Sequence, residues 1–168
     1  RYINLKFFGF YWKRKQFFLV LRIYSIIVPL TLISFALNSL VAEKLGIDPS
    51  YNPVIELFFL LDNKLTLSIL IFQIVFLGPI AEELFFRGFI YKWVRTKYNF
   101  IISASLASAV FSFMHQVPQN ILPLFVISFG LCYLYEKTQN LLPSIIFHCL
   151  HNALSLCLFL VTKSLFSS

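Results

Sequence analysis

Charge is scarce in this chain: Asp, Glu, Lys and Arg make up 12% of its 168 residues, and only seven of them are acidic. That argues against a water-soluble domain, in which about a quarter of the residues are charged. Cysteine is sparse too, and the three present (Cys132, Cys149 and Cys157) are odd in number and lie in apolar stretches. They read as small packing residues, not as a disulfide framework or a zinc knuckle. There is no internal repeat, no low-complexity segment and no His-Glu-x-x-His run to supply two zinc ligands one turn apart. A cleavable signal peptide is also missing, because the basic start leads into a long apolar run without a small-residue cleavage site. The chain opens on Arg1, from which we expect a natural start that is missing or processed, and further helices could precede it.

What fills the chain instead is apolar. Hydrophobic residues make up 59%, with 21 phenylalanines, and the mean hydropathy is +0.81. The expected fold class is all-α: a polytopic helical membrane protein of about five transmembrane helices around an intramembrane polar cavity. The lipid bilayer is therefore the first expected partner. The net charge of +7 could suggest nucleic acid, but its placement argues otherwise. Lys13, Arg14, Lys15 and Arg22 precede the first apolar run, and Lys92, Arg95 and Lys97 cluster in a later stretch. A positive-inside bias explains both clusters and puts the N-terminus and the basic 92–97 loop in the cytoplasm of a multi-pass cell-membrane protein.

Residues 1–64 form a basic segment, a first span (Ile23 to Ala42, kinked at Pro29) and a loop from Glu43 to Pro53. Val54 to Leu61 is too short to cross and reads as interfacial or a stub. Asp62-Asn63-Lys64 opens a long helix from Leu65 towards Lys97, kinked at Gly78-Pro79. Tyr98-Asn99 is the turn, and Phe100 to His115 returns into the membrane. A polar break from Gln116 to Pro123 follows, then Leu124 to Tyr135, a loop from Glu136 to Asn140, and a last span from Leu141 to Val161. Residues 65–158 form the core that carries the chemistry, and 159–168 a short tail.

Ionisable side chains at a bilayer centre cost about 2.5–3.5 kcal/mol on insertion scales and mark functional sites. Glu82, Glu83, Arg87, His115 and His148 all fall inside apolar runs, as does Asn152. Glu82 lies 16 residues before the turn at Tyr98-Asn99 and His115 lies 16 after it. On antiparallel helices both fall at one depth, roughly 24 Å from the turn. Glu83 and Arg87 are spaced i,i+4 and can pair, which leaves Glu82 free to face a cavity as a general base. The irregular polar backbone after His115 is tolerated at membrane depth where it lines a water-filled cavity. His148 and Asn152, also i,i+4, could donate to a developing oxyanion, or serve as helix–helix hydrogen bonds. His151, on a flank of that face, reads as packing. Two rival chemistries are zinc held by Glu82, His115 and His148, and a Cys149–His pair, although Cys149 points away from the His148 face.

Glu-Glu-x-x-x-Arg (82–87), Phe-x-x-x-His (111–115) and His-x-x-x-Asn (148–152), in that order on successive membrane helices, resemble one family. They are similar to the signatures of the CPBP intramembrane proteases, which include type II CAAX prenyl endopeptidases and bacterial abortive-infection or bacteriocin-processing relatives. The likeness covers about Leu65 to Leu158. It implies a membrane endopeptidase in which Glu82 and His115 activate water, His148 and Asn152 hold the oxyanion, and Glu83 and Arg87 support the site. It implies no metal or other cofactor, with zinc the lesser alternative, and a membrane-associated or prenylated peptide as substrate. The alternatives are a non-catalytic partner such as a bacteriocin-immunity or scaffold protein, and a transporter relaying protons, which would more often show inverted repeats.

Overall fold

Asparagine side chains set where three of the helices begin. Asn63 accepts from the Leu65 and Thr66 N–H groups, Asn99 from Ile102 and Asn140 from Leu142, each satisfying a donor that a helix start leaves unpaired. The computed structural model describes residues 11, 13–46, 57–58, 60–61 and 63–166, and no strand occurs among them. Among the described residues, five long helices carry the fold: α1 (Arg14–Lys44), α2 (Lys64–Arg95), α3 (Phe100–Met114), α4 (Ile121–Thr138) and α5 (Leu141–Phe166). Four helical stretches among the described residues are long and apolar enough to cross a membrane, and α3, with 15 residues, is a shorter apolar helix. Leu65, Phe89, Ile101 and Leu158 are each more than 60% exposed, the outward apolar face that a bilayer covers. The protein is an all-α polytopic membrane protein.

Several expected boundaries move. Helix α1 starts at Arg14, nine residues before Ile23, because Gln16 reaches back to accept the Lys13 N–H at 2.8 Å, half of a capping box. The basic cluster therefore rides on the helix, which continues through Pro29. The break after His115 is shorter than expected. Gln116 turns with a positive φ of 54°, a single 3-10 turn spans Pro118–Asn120, and α4 already begins at Ile121. Pro123 is compatible with that early start because a proline in the first turn gives up an N–H that has no helical acceptor. The expected loop from Glu136 to Asn140 shrinks in the same way: α4 persists to Thr138 and stops at Gln139, whose φ of 48° is left-handed. The basic start before Tyr11 and most of the loop from Glu43 to Pro53 lie outside the described residues, as does half of the stretch from Val54 to Leu61, in which Leu57, Phe58 and Leu60 are helical.

Helix α4 sits between α3 and α1. Its contact with α1 is close because Gly130 has no side chain: a Cβ there would lie 2.7 Å from Ile27 Cγ1 and 2.8 Å from Cδ1. On the other side, α3 offers Ser103, Ala104, Ala107 and Ser108, all buried, the small residues that let membrane helices approach. Helix α2 is not uniform. Two wider π-helical segments, Gln73–Leu77 and Phe86–Tyr91, flank the stretch that carries Glu82 and Glu83. Such segments commonly rotate side chains at functional sites.

Candidate active site

The first π segment has a chemical cause. Gly78 N–H bonds to Gln73 O, five residues back, so the next carbonyl in that pattern, Ile74 O, would need the N–H of residue 79. That residue is proline and has none. Asn152 of α5 fills the gap, its Nδ2 donating to Ile74 O at 2.9 Å. The Gly78-Pro79 feature therefore appears as a change of hydrogen-bond register tied to α5 through a side-chain amide. One Asn152 N–H is committed to this bond and the other is left to face its surroundings.

Five residues further along α2 the two glutamates diverge. Glu83 is fully buried, and its Oε1 accepts from Arg87 Nη1 at 2.9 Å and from His148 Nδ1 at 2.8 Å. Arg87, also fully buried, donates through Nη2 to Ser128 O at 3.0 Å and Ser128 Oγ at 2.7 Å. A buried charge pair of this kind is tolerable because each partner is hydrogen-bonded as well as neutralised. Ser128 was invisible as a partner in the sequence: it is one hydroxyl in an apolar run, 41 positions from Arg87.

Glu82 faces the other way. Its Oε2 lies 3.9 Å from His115 Nε2 and 3.7 Å from His148 Nε2, and that oxygen is enclosed, with no hydrogen-bond partner among the described residues. The tautomers follow from the opposite ring nitrogens. His115 Nδ1 is 2.8 Å from Phe111 O, a carbonyl that can only accept, so Nδ1 carries the proton and the neutral ring presents a lone pair at Nε2. His148 Nδ1 faces the Glu83 Oε1 that also accepts from Arg87, so a proton at Nδ1 completes that contact. Phe111 packs the group together: its ring centroid is 4.5 Å from that of His115, 5.9 Å from that of His148, and 4.9 Å from Arg87 Cζ.

A cavity of about 530 Å³ opens beside this cluster, and His115, His148 and Asn152 are in its wall. Glu82 is not part of that wall and reaches the group only through Oε2. The structure thus brings Glu82, His115 and His148 to one point, sets Glu83 and Arg87 behind His148, and puts Asn152 against α2. Among the described residues, no group of three or more His, Cys, Asp or Glu side chains is arranged to hold a metal ion. Cys132 is buried, Cys149 partly buried and Cys157 exposed, and all three are free thiols.

Comparison with known proteins places these residues in a family. A stretch of 86 residues is 30% identical to the "Putative membrane peptidase YdiL" of Bacillus subtilis (strain 168), covering 51% of this chain and 34% of that protein. The chain thus spans about a third of the length of the curated relative it matches. No solved structure matches it significantly. The family profile that does match covers residues 64–154, more than half of the chain and all six site residues. The chain belongs to the type II CAAX prenyl endopeptidase Rce1-like family.

Proposed function

We infer that this protein is an intramembrane endopeptidase that hydrolyses a peptide bond of a membrane-associated substrate, which includes prenylated CAAX-type chains, with water activated by glutamate and histidine. The observation that carries the reading is the Glu82 carboxylate oxygen set between two imidazole nitrogens, 3.9 and 3.7 Å away. Those separations exceed a direct hydrogen bond and suit one bridging oxygen. In this reading the attacking water enters that position from the neighbouring cavity, which requires the enclosed Glu82 oxygen to be uncovered. Glu82 takes its proton as the oxygen bonds to the scissile carbonyl carbon, with His115 Nε2 accepting the second hydrogen. The tetrahedral oxyanion accepts from His148 Nε2–H and from the uncommitted N–H of Asn152. Collapse breaks the C–N bond, and the proton held by Glu82 passes to the leaving amine.

Charge counting supports the role of His148. Its Nδ1–H is spent on Glu83, so an Nε2–H donor requires the imidazolium. With that cation, Glu82, Glu83, Arg87 and His148 sum to zero net charge, and a neutral set is far less costly inside a membrane than an unbalanced one. The reaction as drawn uses no metal or other cofactor and involves no nucleic acid. The ends of α2 and α4, with Arg95, Lys97 and Lys137, face the cytoplasm of a cell membrane by the positive-inside bias.

The test uses the detergent-purified chain with prenylated and unprenylated reporter peptides, with and without a chelator, beside Glu82→Gln and His115→Ala. Expected is cleavage by the wild type that survives chelation and is lost in both variants. Cleavage retained by Glu82→Gln would refute the glutamate mechanism, and chelator inhibition reversed by zinc would replace it with a metal mechanism.

A further inference from the structure

Helix α1 lies outside the stretch from 64 to 154 that the family profile covers, yet it reaches the site. The chain from Tyr11 to Asn38 runs antiparallel to α4, meeting it at Thr138, Gly130 and Leu122 in turn. At the last of these, the Asn38 amide holds both sides of the break after His115. Its Nδ2 donates to Pro118 O at 3.2 Å, and its Oδ1 accepts from the Leu122 N–H at 3.3 Å. A carbonyl only accepts and an N–H only donates, so the amide has one orientation here. Leu122 is in the first turn of α4, whose own N-cap, Asn120, makes no side-chain capping bond. Asn38 therefore caps α4 from another helix, pairing two backbone groups that a membrane protein cannot leave bare.

The consequence for His115 follows from how α3 ends. In a continued α-helix the His115 N–H would bond Phe111 O, four residues back. Here it bonds Ser112 O at 3.3 Å, and the Gln116 N–H bonds Phe113 O at 3.2 Å. The last turn is tightened to bonds three residues back, and Phe111 O is left for His115 Nδ1 at 2.8 Å. That turn leads straight into Gln116 at a φ of 54°, which a non-glycine residue holds only where its surroundings enforce it. We propose that Asn38 is a positioning residue for His115. By fastening the break to α1 it keeps the end of α3 tight. Phe111 O then stays available to fix the His115 tautomer, with Nε2 facing Glu82.

The effect on turnover rests on the peptidase reading, whereas the effect on the His115 ring does not. Steady-state cleavage of a reporter peptide measures the first, and ring nitrogen spectra of histidine-labelled protein in detergent measure the second. In Asn38→Ala the break is free to relax and the His115 N–H competes for Phe111 O. His115 should then change from a single Nδ1–H ring to a mixture of tautomers, while His148, held by Glu83, is unchanged. The kcat should fall about 10- to 100-fold, the scale of a misplaced catalytic group, with KM within about threefold of the wild type. Asn38→Gln, which keeps a donor and an acceptor, should recover part of both. Ser39→Ala, a control whose lost hydroxyl bonds its own helix at Phe35 O, should match the wild type. Should Asn38→Ala fail to fold, it is made in a Gln116→Gly chain, where glycine relieves the left-handed turn, and compared with Gln116→Gly alone. A His115 spectrum unmoved by Asn38→Ala, a shifted one with kcat unchanged, or an equal shift in Ser39→Ala would overturn the proposal. A shifted spectrum specific to Asn38, with no Glu82-dependent cleavage by the wild type, would instead defeat the peptidase reading and leave the coupling of Asn38 to His115 standing.

Discussion

The imidazole of His148 is pinned by Glu83, with Nδ1 2.8 Å from Oε1, and the same oxygen accepts Arg87 Nη1 at 2.9 Å. One carboxylate on α2 thereby sets the orientation of a ring on α5 and neutralises a cation that is itself tied to Ser128 on α4. The i,i+4 pairing of Glu83 with Arg87 is therefore half of what Glu83 does. The same residue is the hinge between the buried charge pair and the proposed catalytic cluster.

Removing one member of that buried pair strands the other. Arg87→Leu should destabilise the protein by about 3–5 kcal/mol, the usual cost of leaving a buried charge uncompensated. Glu83→Gln combined with Arg87→Leu should cost less than Arg87→Leu alone, because no charge is left behind. Unfolding in mixed detergent with increasing SDS, followed by circular dichroism, gives the comparison. A double variant as unstable as the two single losses added together would show that the pair's charges are not coupled.

The same bond predicts a spectroscopic change. With three histidines in the chain, ring nitrogen signals of histidine-labelled protein in detergent can be assigned by single substitution. In the wild type, His115 and His148 should both carry a proton at Nδ1. In Glu83→Gln, the carboxylate that accepts from His148 Nδ1–H and favours the imidazolium is replaced by an amide that can also donate. His148 should then show mixed or altered protonation while His115, held by the Phe111 carbonyl, keeps its Nδ1 proton. A His148 spectrum unaffected by Glu83→Gln would mean that Glu83 does not set its state.

Much of this arrangement is legible before any coordinates. Equal chain distances from the turn place Glu82 and His115 at one depth, and the Asn99 cap makes the turn sharp, so depth counting succeeds. The i,i+4 relations also hold, because helical periodicity alone determines them. What stays hidden depends on rotation between helices. Nothing in the sequence reveals that His148 turns its Nδ1 to Glu83, or that Ser128 lies against Arg87. Helix–helix hydrogen bonding is one of the two roles the sequence leaves open for Asn152, but its partner is hidden for a different reason: it is a backbone carbonyl, freed by a proline 73 positions earlier. Helix ends are misjudged wherever a proline suggests a stop but lies in a first turn, as Pro123 does.

Packing of α1 on α4 depends on one missing methyl. Gly130→Ala places a Cβ 2.7–2.8 Å from two atoms of Ile27, and overpacking of this kind commonly costs about 1–3 kcal/mol. Helix α1 supplies Thr31, Leu32 and Phe35 to the cavity wall, so displacing it should also impair turnover. Ile27→Ala in the Gly130→Ala background should restore part of both stability and activity. If Gly130→Ala is neutral in stability, the approach of the two helices is looser than these distances imply.

Asn152 and Pro79 should be energetically coupled although they lie on different helices. Pro79 has no N–H to give Ile74 O, and Asn152 Nδ2 supplies the bond instead. Asn152→Leu alone therefore leaves a carbonyl unpaired inside the protein, at a cost of about 1–3 kcal/mol. Pro79→Ala restores an N–H at that position, and the segment from Gln73 to Leu77 can return to i→i+4 bonding, in which Gly78 N–H satisfies Ile74 O. In that background Asn152→Leu should cost less, giving a coupling of about 1 kcal/mol or more in a double-mutant cycle. Activity should separate from stability in the same cycle. If Asn152 also donates to the oxyanion, turnover falls on Asn152→Leu even where Pro79→Ala has recovered the fold. Additive stability losses would show that the Ile74 carbonyl does not depend on Asn152. Recovery of turnover together with stability would reduce Asn152 to a strut between α2 and α5.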